Sequence, residues 1–273
     1  MNKNKVWFIT GSNSGFGRSL TEAVLAKGDR VIATARHTEE LDDIVKQYPN
    51  NVKVVCLDVT KSEEISAAID TALTTFNSID VVCNIVEYGN RGAVGEIGDE
   101  KIYRQFEVNY FGTLNLTRAF LPYLRQKRSG HIFNISSIID FACLPGIDIL
   151  FSTKYAIERF SEALTKDLET LGIKLTIVEA RVSQTNFGGD CLITNNQIDA
   201  CVEISCKFIE QEKSNARQLD SFNKVVQEMI KVIDFNHPPL HLILEKNVLK
   251  RVRSKQDFFQ TESEKEKSAS LFD

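Results

Sequence analysis

The sequence predicts a single α/β domain built on a doubly wound parallel sheet with helices on both faces. Three observations predict it. Six short runs, 5–10, 30–35, 52–57, 80–85, 131–136 and 174–180, are rich in β-branched residues and almost continuously apolar, as strands buried on both faces must be. Between them, 16–27, 38–47, 61–76, 100–127 and about 149–171 carry apolar residues at helical spacing. The two periods alternate along the first two thirds of the chain, the pattern of strand–helix–strand crossovers that lay parallel strands side by side.

Taken in order, KVWFIT (5–10) opens the sheet and leads through a glycine-rich turn into the first helix. RVIATA (30–35), VKVVCL (52–57) and DVVCNI (80–85) follow, each after a helical stretch. HIFNIS (131–136) comes after the long helical segment 100–127, and KLTIVEA (174–180) after 149–171. The region 186–245 is less regular, with helical patterns near 199–212 and 218–233 and a short apolar run, LHLIL, at 240–244. From 258 onward FFQTESEKEKSASLFD has no apolar period and reads as a solvated, flexible tail. No repeat and no Gly/Ser/Pro-rich linker divides the chain, so one domain over 1–257 and a tail over 258–273 are expected.

Composition narrows the function. Of 273 residues, 42% are hydrophobic and 26% charged, a balance that supports a sizeable core. Lys and Arg total 33 against 37 Asp and Glu, a net charge of −4, which argues against nucleic acid or an anionic membrane as partner. No apolar run reaches the roughly 18 residues of a membrane helix. The N-terminus enters a strand at once, so no signal peptide is expected and the cytoplasm is the expected location. Cys56, Cys83, Cys143, Cys191, Cys201 and Cys206 show no CxxC spacing and read as reduced, mostly buried small hydrophobes. His237 and His241 are separated by Pro238 and Pro239, so no helix sets both on one face, and no metal site is expected.

The chemistry concentrates at the first turn, Thr10-Gly11-Ser12-Asn13-Ser14-Gly15-Phe16-Gly17. Glycines between a strand and a helix let backbone N–H groups at the helix N-terminus approach a pyrophosphate closely. The end of the second strand selects the dinucleotide. A carboxylate there would accept bonds from a free ribose 2′-hydroxyl, whereas Ala35-Arg36-His37 supplies a guanidinium suited to a 2′-phosphate. NADP(H) is therefore the expected cofactor. Asp58, closing the third strand, is placed to meet the adenine amino group.

With these residues and Asp58-Val59, Val108-Asn109-Tyr110-Phe111-Gly112-Thr113, Asn134-Ile135-Ser136-Ser137 and His237-Pro238-Pro239-Leu240, the chain resembles the short-chain dehydrogenases/reductases, in the branch with a TGxxxGxG turn. The resemblance implies a Rossmann-type sheet of about seven strands and hydride transfer between NAD(P)(H) and a small organic alcohol or carbonyl. It implies catalytic roles for Asn109 (supporting a water), Ser137 (holding the carbonyl oxygen) and Lys154 (binding the ribose and lowering the pKa of a tyrosine). It also implies cofactor contacts from Val59, Asn84 and Thr185, and a homodimer or homotetramer formed through the long helices. Three patterns of the family are altered. The tyrosine that belongs four residues before Lys154 is Leu150, which has no ionisable proton. The family's Asn-Asn-Ala-Gly is Asn84-Ile85-Val86-Glu87, and its Pro-Gly after the sixth strand is Ala180-Arg181. Tyr155 lies about 140° round the helix from position 150 and reads as packing. Asp140, Cys143 and Asp148 are the candidate substitutes for the acid. Three functions fit this pattern: a reductase of an acceptor that needs no tyrosine, such as an imine; a cyclase, isomerase or dehydratase on the same fold; or an NADP(H) binder without turnover.

Overall fold

The computed structural model describes residues 4–137, 146–179, 192–193, 198, 221–244 and 248–267. The chain begins with β1 (Val6–Ile9), α1 (Gly15–Ala26), β2 (Arg30–Ala35), α2 (Asp42–Gln47), β3 (Val52–Cys56), α3 (Ser62–Phe76) and β4 (Val81–Asn84). A two-residue strand, β5 (Asn90–Arg91), precedes α4 (Asp99–Phe106), a π-helical turn (Glu107–Phe111) and α5 (Gly112–Lys127). Then follow β6 (Gly130–Ser136), α6 (Asp148–Leu168), β7 (Ile173–Glu179), the short β8 (Leu192–Ile193), α7 (Ser221–Val232), β9 (His241–Ile243) and α8 (Val248–Lys267).

Seven of these strands form one sheet, parallel throughout, in the order β3-β2-β1-β4-β6-β7-β9. Strand order reverses between β1 and β4, so the connections from their carboxyl ends part to opposite faces and leave a crevice between them. Successive side chains of a strand point to opposite faces. In β1, Trp7 packs with Phe16, Leu20, Val24 and Met229 under α1 and α7, while Phe8 packs with Ile65, Leu116, Phe120 and Leu164 under α3, α5 and α6. Both rings are fully buried, which is why the strand carries no polar alternation. Trp7 stacks on Phe133 at 6.4 Å and Phe8 meets Phe120 edge-on at 4.9 Å.

The fold departs from the sequence reading in three places. The expected helix over 100–127 is interrupted by the π-helical turn that carries Asn109. At its exit, a Cβ on Gly112 would stand 2.6 Å from Val59 Cγ2, so glycine permits the close approach to the loop after β3. Helix α8 continues to Lys267 across the expected start of the tail at 258. Its Lys, Glu and Gln are good helix formers, and Phe258 and Phe259 stay 59% exposed, so propensity rather than burial shapes this helix. β5 and β8 pair as a separate two-stranded sheet, too short to leave a pattern in the sequence. Cys83 is buried, with burial pushing its thiol pKa up, but Cys56 is exposed. The other four cysteines and the helical pattern at 199–212 lie outside the described residues.

Two histidines are built into the sheet in opposite ways. His241 on β9 is held by Glu179 on β7, 2.5 Å from Nδ1, with Glu162 of α6 3.5 Å from Nε2. The Glu179 hydrogen bond and the nearby carboxylates raise its pKa despite burial and the Arg159 charge. His131 on β6 is 3% exposed and stacked on Phe133 at 4.2 Å.

Candidate functional site

A cleft of about 390 Å³ opens beyond the carboxyl ends of the first strands, lined by the glycine turn, the end of β2, the loop after β3 and the loop after β4. Thr10 ties the first and last of these together. Its hydroxyl donates to Cys83 O (3.1 Å) and accepts from Ile85 N and Val86 N (2.8 and 3.2 Å). Gly11 and Gly15 have φ of +66° and +52°, which favour glycine. A Cβ on Gly17 would lie 2.1 Å from Gly11 O, so the helix can start this close to the turn only without a side chain. The α1 N-terminus has no side-chain cap and no acidic residue in its first turn, and its N–H groups are left for an anion.

Among the expected residues of this turn, Gly11, Asn13, Ser14, Phe16 and Gly17 line the cleft. Ser12 does not. It is fully buried, its hydroxyl donates to Ile9 O (3.0 Å) and its N–H to Thr34 O (2.9 Å), so it fixes the turn to the sheet rather than facing a ligand.

At the outer end, Arg36 is exposed on the cleft wall, and no hydrogen bond or ion pair engages its guanidinium among the described residues. Glu40 shares that wall, its carboxylate held by Asn13 Nδ2 at 2.6 Å. Asp58 and Val59 line the cleft as expected, but Asp58 is already committed. One oxygen accepts from Thr60 N and Oγ1 (3.0 and 2.7 Å), and the other lies 3.4 Å from Arg104 Nη2. Burial pushes the Asp58 carboxyl up, yet the Thr60 bonds and the Arg104 charge outweigh it and hold its pKa below the usual value. An adenine amino group would therefore meet a carboxylate shared with Arg104.

Glu87 lines the inner end, and Asn109 and Lys154 are buried beside it without lining the cleft themselves. Asn109 is 1% exposed, and its amide grips the backbone of Tyr88 from both sides, accepting from N (2.8 Å) and donating to O (2.9 Å). It also donates to Thr153 Oγ1 at 3.1 Å. One side chain thus fixes the loop after β4 against α6. Lys154, 3% exposed, donates to Ile135 O at 3.1 Å and forms an ion pair with Glu87. Leu150 lies one turn earlier on α6, 9% exposed, with its carbonyl accepting from Thr153 Oγ1 (2.7 Å). Ser137 directly follows β6.

Asn84 does not reach the cleft. Its side chain turns under the sheet, donating to Asn134 Oδ1 (2.7 Å) and Thr117 Oγ1 (3.2 Å). Tyr155 is 46% exposed with Arg159 5.0 Å over its ring, on the outer side of α6. Asp148 begins α6, where its carbonyl accepts from Ser152. Thr185, Arg181, Asp140 and Cys143 lie outside the described residues. Glu40 and Arg104 were not anticipated. Neither belongs to a motif, and Arg104 meets Asp58 only because α4 packs over the end of β3, 46 residues away. Among the described residues no cluster of His, Cys, Asp and Glu is arranged to hold a metal, and no helix is long and apolar enough to cross a membrane.

The glycine cradle, the uncapped α1 and Arg36 fit a dinucleotide. Comparison with known proteins identifies the family. Residues 5–192 match the model of the short chain dehydrogenase family. The chain is 33% identical over 269 residues, covering 98% of both sequences, to the oxidoreductase BOA17 of Botryotinia fuckeliana. A crystal structure of a short-chain dehydrogenase from Streptomyces avermitilis superposes with a TM-score of 0.88 at 32% identity over 98% of each chain. A short-chain dehydrogenase/reductase from Burkholderia phymatum, solved in complex with NAD, shares the fold with a TM-score of 0.84 at 21% identity over 95% of each chain.

Proposed function

The chain belongs to the short-chain dehydrogenase family, and on that premise we propose that it is an NADP(H)-dependent oxidoreductase acting on a small organic acceptor that needs no tyrosine acid. The observation that carries the cofactor reading is Arg36, a cation without a partner among the described residues, on the wall of a cleft whose floor is the α1 N-terminus. Gly11, Ser14 and Gly17 would hold the pyrophosphate, Arg36 the 2′-phosphate, and Lys154 the nicotinamide end. The bound dinucleotide supplies hydride chemistry. Leu150 adds an apolar wall where the family has its acid. Such a wall suits an iminium acceptor, which becomes a neutral amine on receiving hydride, whereas a carbonyl develops an oxyanion that must be neutralised. Exposed Tyr103, Phe111 and Tyr155 on α4, the π-helical turn and α6 support pairing with a second copy.

The test is calorimetric titration with NADPH and NADH, followed by NADPH oxidation with imine and ketone panels. NADPH is expected to bind more tightly than NADH. Arg36→Ala is expected to weaken NADPH roughly tenfold or more while changing NADH little, because a hydrogen bond to a charged group contributes about 1.5–3 kcal/mol. Equal losses for both dinucleotides would remove Arg36 from the 2′-phosphate site. The Glu87–Lys154 pair favours a second reading, binding without turnover, and NADPH affinity with no oxidation by either panel would select it.

A further inference from the structure

The cleft runs from Arg36 at one end, past the α1 N-terminus, to Glu87 at the other, whose ion pair sets Lys154 beside it; Arg36, the helix terminus and Lys154 all favour anions. Glu87 is the exception. Its carboxylate lines the same space, 23% exposed, and is joined to the 3% exposed Lys154. An ammonium has three donors and no acceptor. Among the described residues Lys154 directs two of them to Ile135 O and Glu87. The pair is held from both sides by one residue: Asn109 bonds to the backbone of Tyr88, beside Glu87, and to Thr153, beside Lys154.

We propose that Glu87 is a built-in competitor for Lys154. The carboxylate occupies the ammonium at the inner end of the cleft, and the nicotinamide half of a dinucleotide gains Lys154 only by displacing it. Glu87 thereby sets the affinity of the nicotinamide half and leaves that of the adenosine half to Arg36. The inference rests on the NADP(H) reading and deepens it.

Calorimetry with two probes separates the halves: NADPH, which spans the cleft, and 2′,5′-ADP, which has only the adenosine end and its phosphates. Glu87→Gln is expected to tighten NADPH about tenfold and to leave 2′,5′-ADP within about twofold, the gain being a charge-assisted bond that Lys154 can now make. Glu87→Gly, which leaves no amide to re-bond the lysine, should move in the same direction. Lys154→Met leaves the carboxylate unpaired in the cleft and should weaken NADPH about tenfold, while the Glu87→Gln/Lys154→Met double variant recovers most of that loss. NADPH affinity unchanged or weaker in both folded Glu87 variants, with 2′,5′-ADP still bound, overturns the competitor and leaves the cofactor reading standing. Failure of the unmodified protein to bind 2′,5′-ADP overturns the cofactor reading, and the competitor with it.

Discussion

Leu150→Tyr is expected to raise NADPH-dependent reduction of a ketone or aldehyde at least about tenfold, since a positioned general acid contributes roughly 10²–10⁴ in rate. Leu150 already occupies the buried position one turn before Lys154, where helical spacing stacks the two side chains. A phenol placed there would neighbour the ammonium, and a nearby positive charge stabilises the phenolate it becomes on giving up its proton. Glu87 limits that gain, because a lysine paired with a carboxylate presents little net charge to a third group. Adding Glu87→Gly to Leu150→Tyr should therefore multiply the rate about another tenfold. The measurement is the rate of NADPH oxidation at saturating cofactor over a panel of carbonyls, alongside an imine panel on which Leu150→Tyr should gain much less. A folded, cofactor-loaded double variant with no gain on any carbonyl would show that the acceptor is not held beside position 150.

The parts of this site that depend on local spacing were legible in the sequence. The turn that starts at Gly11 leads from a strand into a helix, Arg36 directly follows β2, and Leu150 and Lys154 are one helical turn apart, all set by neighbouring residues. What depended on the third dimension was not. Ser12 and Gly11 are adjacent, yet one is buried against Ile9 and the other lines the cleft, because the left-handed backbone at Gly11 turns the chain between them. Asn84 reads as a cofactor ligand by position, but its amide is used to bind β4 to β6 and α5. Glu87 stood out as added bulk and charge, but its partner lies 67 residues on and is brought there by the sheet order that sets β4 beside β6 and by the Asn109 bridge. The strands were legible because burial on both faces leaves unbroken apolar runs. The break in 100–127 was not, since a π-helical turn keeps the same composition as the helix around it.

Acid is expected to destabilise the protein well before its carboxylates protonate, and His131 is the reason. Thr176 Oγ1 donates to Pro239 O (2.8 Å), so in its 2.9 Å contact with His131 Nε2 it must accept, which assigns the proton to Nε2. Nδ1 is then a buried lone pair with no partner among the described residues, and protonating it would place a charge beneath the sheet. Burial, with the charges of Lys174 and Lys5 behind it, lowers the His131 pKa from 6.5 to about 3. The unfolded chain binds that proton near pH 6.5 and the native chain does not, so stability is full above 6.5 and falls by about 1.4 kcal/mol per pH unit below it, towards the native value near 3. By pH 4.5 the loss is about 3 kcal/mol, a large part of the 5–15 kcal/mol of a typical domain. Three further shifted groups among the described residues act mainly outside this interval. In His241 the raised pKa gives stability that is complete below about 6.5 and is lost only as pH rises above it. Asp58 and Asp80, whose carboxyls burial pushes up but which bonds from Thr60 and Lys127 pull lower still, cost nothing until pH nears 4. Denaturant unfolding at half-unit steps from pH 6.5 to 4.5 should show this slope, and His131→Gln, which keeps a donor for Thr176 without a titrating ring, should flatten it. An identical slope in the folded glutamine variant would assign the acid lability to another group.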